Sequence, residues 1–168
     1  FFTNPYKRMN IGSPSYRMII LSLCTMFAVS LSSCGFGLWT RSFFGAKASV
    51  KVTIAPNVNQ TNPVQMDLLL VYDDALLKQL LQMTAKDWFD KRDEIRNNYP
   101  EGEGFDSWQW EWIPNQKVAP QLIPVRMKSL ACIVFANYYT AGPHRMRVSP
   151  HEDMKINLSE KGFSVEPQ

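Results

Sequence analysis

The chain is 168 residues long, 45% hydrophobic, 12% aromatic and 20% charged, which is enough for one packed domain and too apolar for a disordered, fibrous or low-complexity chain. Its formal charge of +3 resides in Lys7, Arg8 and Arg17, so from Cys34 onward 15 basic residues face 15 acidic ones. A domain without net charge gives no electrostatic footprint for nucleic acid and no field to steer acidic partners.

From Met18 to Leu31 the chain is uncharged and apolar, preceded by Arg17 and followed by small residues. This is the h-region of a signal peptide with its basic n-region, too short for a comfortable membrane span. Translation can begin at Met9 or at Met18, since both leave a basic residue before the apolar run, and residues before the true start are then upstream sequence. Leu31-Ser32-Ser33-Cys34 resembles the bacterial lipobox, in which the cysteine is acylated and becomes the mature N-terminus. The competing reading is an ordinary cleaved signal with an incidental cysteine. Gly35 stands where an aspartate would resemble an inner-membrane retention signal, so outer-membrane sorting is expected. Three acyl chains, at ~0.8 kcal/mol per buried CH₂, make such an anchor effectively permanent. Residues 1–33 thus read as signal and Cys34 as the lipidation site, with no cofactor beyond that covalent lipid. Of three cysteines only Cys132 stays in the fold; inside the apolar run Leu130 to Phe135 it reads as a small buried hydrophobe rather than a reactive thiol.

Residues 34–48 carry three glycines and no period, as a lipidated tether would, with Trp39, Phe43 and Phe44 set at the headgroup level or against the domain. At Ser49 alternation begins: Val50, Val52 and Ile54 against Lys51 and Thr53 predict a half-buried strand. Pro56 to Pro63 is a loop by composition, bounded by prolines and rich in asparagine. Its one apolar residue, Val58, reads as a small anchor presented among amides, and shortening Asn57 to Asn62 is expected to leave the domain folded. Val64 to Tyr72 is a strand apolar on both faces. Asp73 and Asp74 cap a helix carrying Leu76, Leu77, Leu80 and Leu81. Thr84 with Asp87 forms a capping box for a second helix to about Asn98. Its apolar side is Trp88, Phe89, Ile95 and Tyr99, and its carboxylates Asp87, Asp90, Asp93 and Glu94 read as a solvated face.

Beyond Gly104 the period returns to two. Trp108, Trp110 and Trp112 share one sheet face, as core or as a sugar-stacking platform. Pro120 and Pro124 restrict the next stretch to an edge strand or loop. Ser129–Tyr139, His144–Val148, Met154–Leu158 and Phe163–Val165 complete seven or eight short strands around one helical insertion, residues 73–99, within a domain spanning 49–168. That pattern is mainly β, a two-sheet β-sandwich. His144, His151, Glu152 and Asp153 lie within ten residues, but a turn and Pro150 separate the histidines and no third exists, so no metal site is expected. No phosphate loop, nucleophile elbow, zincin helix or paired CxxC is present, so no catalytic residues are expected.

The order of lipobox, tether, first strand, polar loop ending at Pro63, apolar strand into Tyr72-Asp73-Asp74 and helical insertion to Trp88-Phe89 resembles the TssJ family of type VI secretion lipoproteins. The resemblance runs over the mature chain; the insertion Asp73 to Tyr99 and the tryptophan-rich strand after it differ from the family pattern. It implies a transthyretin-like sandwich on the periplasmic side of the outer membrane, no enzymatic activity, no small-molecule substrate and no nucleic acid. The implied partner is the periplasmic domain of TssM, in a TssJ-TssL-TssM membrane complex. The family's contact loop maps onto Pro56, Asn57, Val58, Asn59, Gln60, Thr61, Asn62 and Pro63. Alternatives of other classes are a lipid-anchored envelope enzyme or carbohydrate-binding protein using the tryptophan face, and a pilotin-like assembly lipoprotein of another secretion machine.

Overall fold

The computed structural model describes residues 46–100 and 102–168. The expected signal peptide, Cys34, and the tether aromatics Trp39, Phe43 and Phe44 lie outside the described residues. Among the described residues eight strands, β1 (Lys47–Ile54), β2 (Val64–Val71), β3 (Phe105–Trp112), β4 (Gln121–Pro124), β5 (Ala131–Asn137), β6 (Arg145–Val148), β7 (Met154–Leu158) and β8 (Phe163–Pro167), build two four-stranded sheets. One sheet has the order β4-β1-β7-β8 and the other β3-β2-β5-β6. Every pairing is antiparallel except that of β1 with β7. The architecture is the expected two-sheet sandwich with a helical insertion after the second strand. Strand β1 starts at Lys47 rather than Ser49, because Lys47 and Ala48 already pair with Pro124 and Ile123.

The alternation of β1 buries Val50, Val52 and Ile54 against the facing sheet. Strand β2 is buried on both faces because it separates two cores. Val64, Met66, Leu68 and Leu70 point between the sheets, while Leu69 and Val71 point outward, under the helices α1 (Asp74–Leu80) and α2 (Ala85–Asn98). Both predicted caps form. Asp73 accepts the Leu76 N–H at 2.7 Å, and Thr84 and Asp87 make the reciprocal box, Asp87 N–H to Thr84 Oγ at 3.2 Å and Thr84 N–H to Asp87 Oδ2 at 2.9 Å. Each such cap stabilises its helix by about 1 kcal/mol. Trp88 anchors α2, stacked on Phe135 at 5.3 Å and edge-on to Phe105 at 6.0 Å. Asp90, Asp93 and Glu94 are exposed as expected.

One carboxylate breaks the apolar run of β2. Asp67 is buried on the helix side and accepts from Trp88 Nε1 at 2.9 Å and from Arg92 Nη1 at 3.2 Å. Removing a carboxylate from water is offset only where an opposite charge and further hydrogen bonds meet it, here Arg92 and the neutral Trp88 N–H, so Asp67 fixes the rotation of α2 over β2. Cys132 sits opposite Leu70 in the inter-sheet core; burial pushes its thiol up to about 12, which keeps it protonated and inert. The three indoles also turn inward. Trp112, Trp110 and Trp108 lie opposite Val64, Met66 and Leu68; Trp112 is buried, and Trp108 and Trp110 are half-buried against the same core. Core packing, not a sugar platform, is what this placement does.

Candidate functional site

The alternating strand directions gather the β1–β2, β3–β4, β5–β6 and β7–β8 connections at one end of the sandwich. The first of these is the proline-bounded loop, and its composition hides an unusual backbone. Val58–Thr61 forms a single tight turn in which Asn59, Gln60 and Thr61 all have positive φ, 45°, 56° and 65°. Asparagine enters that region at small cost, but for glutamine and β-branched threonine it is strained. Three such residues in sequence persist only where the surroundings over-determine them.

Here the surroundings do. Val58 is 0% exposed and joins the inter-sheet core. This corrects the expectation that Val58 is offered to a partner: it is a plug that holds the turn down. Asn59 is 2% exposed and makes the loop's main strap. Its Nδ2 donates to Pro63 O at 2.9 Å, its Oδ1 accepts the Tyr139 N–H at 2.8 Å, and its own N–H reaches Ser159 O at 3.3 Å. The Asn62 side chain donates to Gln60 O at 3.0 Å and Asn59 O at 3.2 Å, closing the turn on itself. Asn57 Nδ2 donates to Glu160 Oε2 at 3.0 Å. Deleting Asn57 to Asn62 would therefore remove core as well as surface, contrary to the expectation that the shortened loop leaves the domain intact. Pro56, Asn57, Gln60, Thr61 and Pro63 stay exposed; they are the part of the loop a partner can touch.

The strap brings in a residue absent from the sequence reading of this site. Tyr139, whose N–H is held by Asn59, is 73% exposed. An aromatic at the end of an apolar strand and just before a Thr-Ala-Gly-Pro turn is the one signal that could have marked it. Its neighbour Tyr138 turns inward, stacked on the His144 ring at 5.0 Å, and burial pushes its phenol pKa up. The His144 Nε2 lies 2.7 Å from Thr140 O, and Thr140 Oγ donates to Lys161 O at 2.8 Å. Three connections are thus laced into one surface, with a satisfied backbone and with amide, hydroxyl and one phenolic side chain outward. This suits a modest, polar protein contact whose side chains are fixed in advance. Neither histidine approaches a metal-binding set, and among the described residues no group of three or more His, Cys, Asp or Glu converges to hold an ion.

No protein-family model and no curated protein matches the chain. Solved structures do. The type VI lipoprotein TssJ1 from Pseudomonas aeruginosa superposes with a TM-score of 0.57 at 13% identity, over 74% of this chain and 97% of that one. The fold is that of TssJ. Serratia marcescens Lip, a membrane-bound component of the type VI secretion system, gives 0.54 at 17% identity over 74% and 98%. A chain of a type VI membrane complex gives 0.55 at 13% over 72% and 98%. Each is matched along nearly its whole length.

Proposed function

We propose that the chain is a lipid-anchored envelope protein of a type VI secretion membrane complex. It is tied to the periplasmic face of the outer membrane through Cys34 and holds the periplasmic domain of TssM, in a TssJ-TssL-TssM assembly, at the loop end of the sandwich. It acts by binding and anchoring, and not as an enzyme. The observation that carries this reading is the likeness to solved secretion lipoproteins over 72–74% of this chain and nearly all of theirs, in a chain whose Leu31-Ser32-Ser33-Cys34 resembles a lipobox. The build of the loop end supports the choice of surface: its strained turn is held rigid, so binding pays little ordering entropy. The inward tryptophans argue against a sugar-binding lipoprotein.

The test separates anchor from partner. The full chain is expressed with the TssM periplasmic domain, membranes are fractionated, and the pair is captured through either protein. The native chain should carry TssM into the outer-membrane fraction. Cys34→Ser should release the intact pair from that fraction, because the contact lies in the folded domain and the tie to the membrane in the lipid. Failure of the native chain to retain TssM overturns the partner; retention of Cys34→Ser in the outer membrane overturns the anchor.

A further inference from the structure

Four strands edge the two sheets, and three are blunted. Strand β4 has four residues and lies between Pro120 and Pro124; β6 has four residues, two of them Arg145 and Arg147; β8 has five, with Glu166 and a terminal Pro167. These are the usual means of stopping edge-to-edge pairing. Strand β3 is not shortened and carries no proline or cation; its one exposed charge is Glu111. It is eight residues long, pairs with β2 in unbroken register from Phe105 to Trp112, and contains no Pro, Gly, Lys or Arg. Among the described residues no strand pairs with its outer side, which offers a row of backbone donors and acceptors to another strand.

What lies beside that edge says which strand. On the helix side of β3 is a cleft of about 490 Å³ lined by Arg96, Tyr99, Phe105, Ser107 and Gln109. Arg96 is incompletely neutralised there. The Asp67 carboxylate serves Trp88 and Arg92 first and meets Arg96 only at 3.9 Å, and the other carboxylate near Arg96, Asp93 at 3.6 Å, is 90% exposed. The Arg96 Nη2 also lies 3.4 Å from Ser107 Oγ, and the neutral Gln109 amide accepts from the same guanidinium without cancelling its charge. The cleft therefore suits an incoming carboxylate on a strand laid along β3.

We propose that β3 pairs with β3 of a second copy of this chain, antiparallel about a two-fold axis at Gln109, so that Glu111 of each copy enters the Arg96 cleft of the other. The sequence satisfies that symmetry. Pairing about Gln109 sets Trp108 opposite Trp110 on the inner face and Ser107 opposite Glu111 on the helix face, with no like charges apposed. Directly opposite residues in such a ladder have Cβ atoms about 5 Å apart, which puts the Glu111 carboxylate within reach of the guanidinium beside Ser107. The half-buried Trp108 and Trp110 lose their remaining exposure in cross-strand aromatic pairs. The inference stands on β3 and α2 and is independent of the secretion reading.

Cysteine cross-linking of the full chain in detergent micelles tests it, with sedimentation velocity alongside. Gln109→Cys should form a disulfide-linked dimer on mild oxidation, and an equal mixture of Ser107→Cys and Glu111→Cys chains should link across the two copies. Ser164→Cys, on the blunted edge β8, serves as the background. Adding Glu111→Lys, an exposed change the fold should tolerate, to Gln109→Cys should slow cross-linking about tenfold, as about 1.4 kcal/mol of lost pairing would. A concentration-dependent dimer in sedimentation should weaken in parallel. Linking at Gln109 no faster than at Ser164, linking indifferent to Glu111→Lys, or a β3 cysteine that links only to a different protein each overturns self-pairing.

Discussion

The loop from Pro56 to Pro63 and the free edge of β3 are both open to partners, but they expose opposite things. The loop has spent its backbone: Asn59, Asn62, Ser159 and Tyr139 satisfy the turn, and what remains outward is side chains in fixed positions. The edge of β3 has turned its large side chains inward, with Trp108, Trp110 and Trp112 against the core, and what remains outward is backbone. A surface of the first kind recognises a partner by side-chain chemistry, whereas one of the second kind accepts a strand with little regard to its sequence unless a neighbouring charge selects it. Arg96 is that charge.

The comparison breaks most completely if the plug is removed. Val58→Asp buries an unpaired charge in the inter-sheet core and should cost about 4 kcal/mol or more, read as a drop in the urea midpoint. A shift near zero would mean that Val58 is free to leave the core. On the edge side, Asp67→Ala should cost about 3 kcal/mol by stranding Arg92 and Arg96, and it should alter cross-linking at Gln109 before it affects partner binding at the loop. Equal losses at both surfaces would show that they are not separate.

Smaller changes sharpen the contrast. Asn59→Ala removes both side-chain hydrogen bonds of the strap and places alanine at φ 45°, at a cost of about 2 kcal/mol. Asn59→Gly should recover part of that, since glycine meets no Cβ penalty there; a glycine variant less stable than the alanine one would contradict the strain. Thr84→Ala should cost about 1 kcal/mol in α2. It should also change the acid limb of stability. The Thr84 side chain and N–H hold the Asp87 carboxyl below its ordinary value of 3.8. The folded pKa is thus the lower one, so the contribution is present above the unfolded value and is lost as pH falls through the folded one. Native and Thr84→Ala chains should converge in stability in strong acid, and a gap that widens there would contradict the cap.

How much of this was legible depended on how local each signal was. The alternation of β1, the two-sided apolar run of β2, the caps at Asp73 and Thr84 and the shared face of the three tryptophans all follow from residues a few positions apart, where periodicity carries information. The burial of Val58 does not, because an eight-residue loop has no period and the core it enters is assembled from distant strands. Asp67 was silent for the same reason: its partners Arg92 and Arg96 lie at least 25 residues away on another element. The parallel pairing of β1 with β7, Val50 opposite Met154, is a property of the closed sandwich that neither strand declares. Asp90, Asp93 and Glu94 form the exposed face that the charge pattern of α2 implies, while Asp87 is taken up by its cap, and Arg96 on the flank gains meaning only when the edge of β3 lies beside it.

On the proposed function the laced loop end, and not the fold at large, holds the TssM periplasmic domain. Gln60→Arg and Tyr139→Ala change exposed side chains and should leave stability within about 0.5 kcal/mol of the native chain. The most direct measurement is calorimetric titration of the TssM periplasmic domain into the native chain and into each of these two variants, with urea midpoints recorded in parallel. Midpoints should be unchanged and binding weakened about tenfold or more, the loss of a contact worth about 1.4 kcal/mol. Native affinity in both variants, with the fold intact, would contradict it.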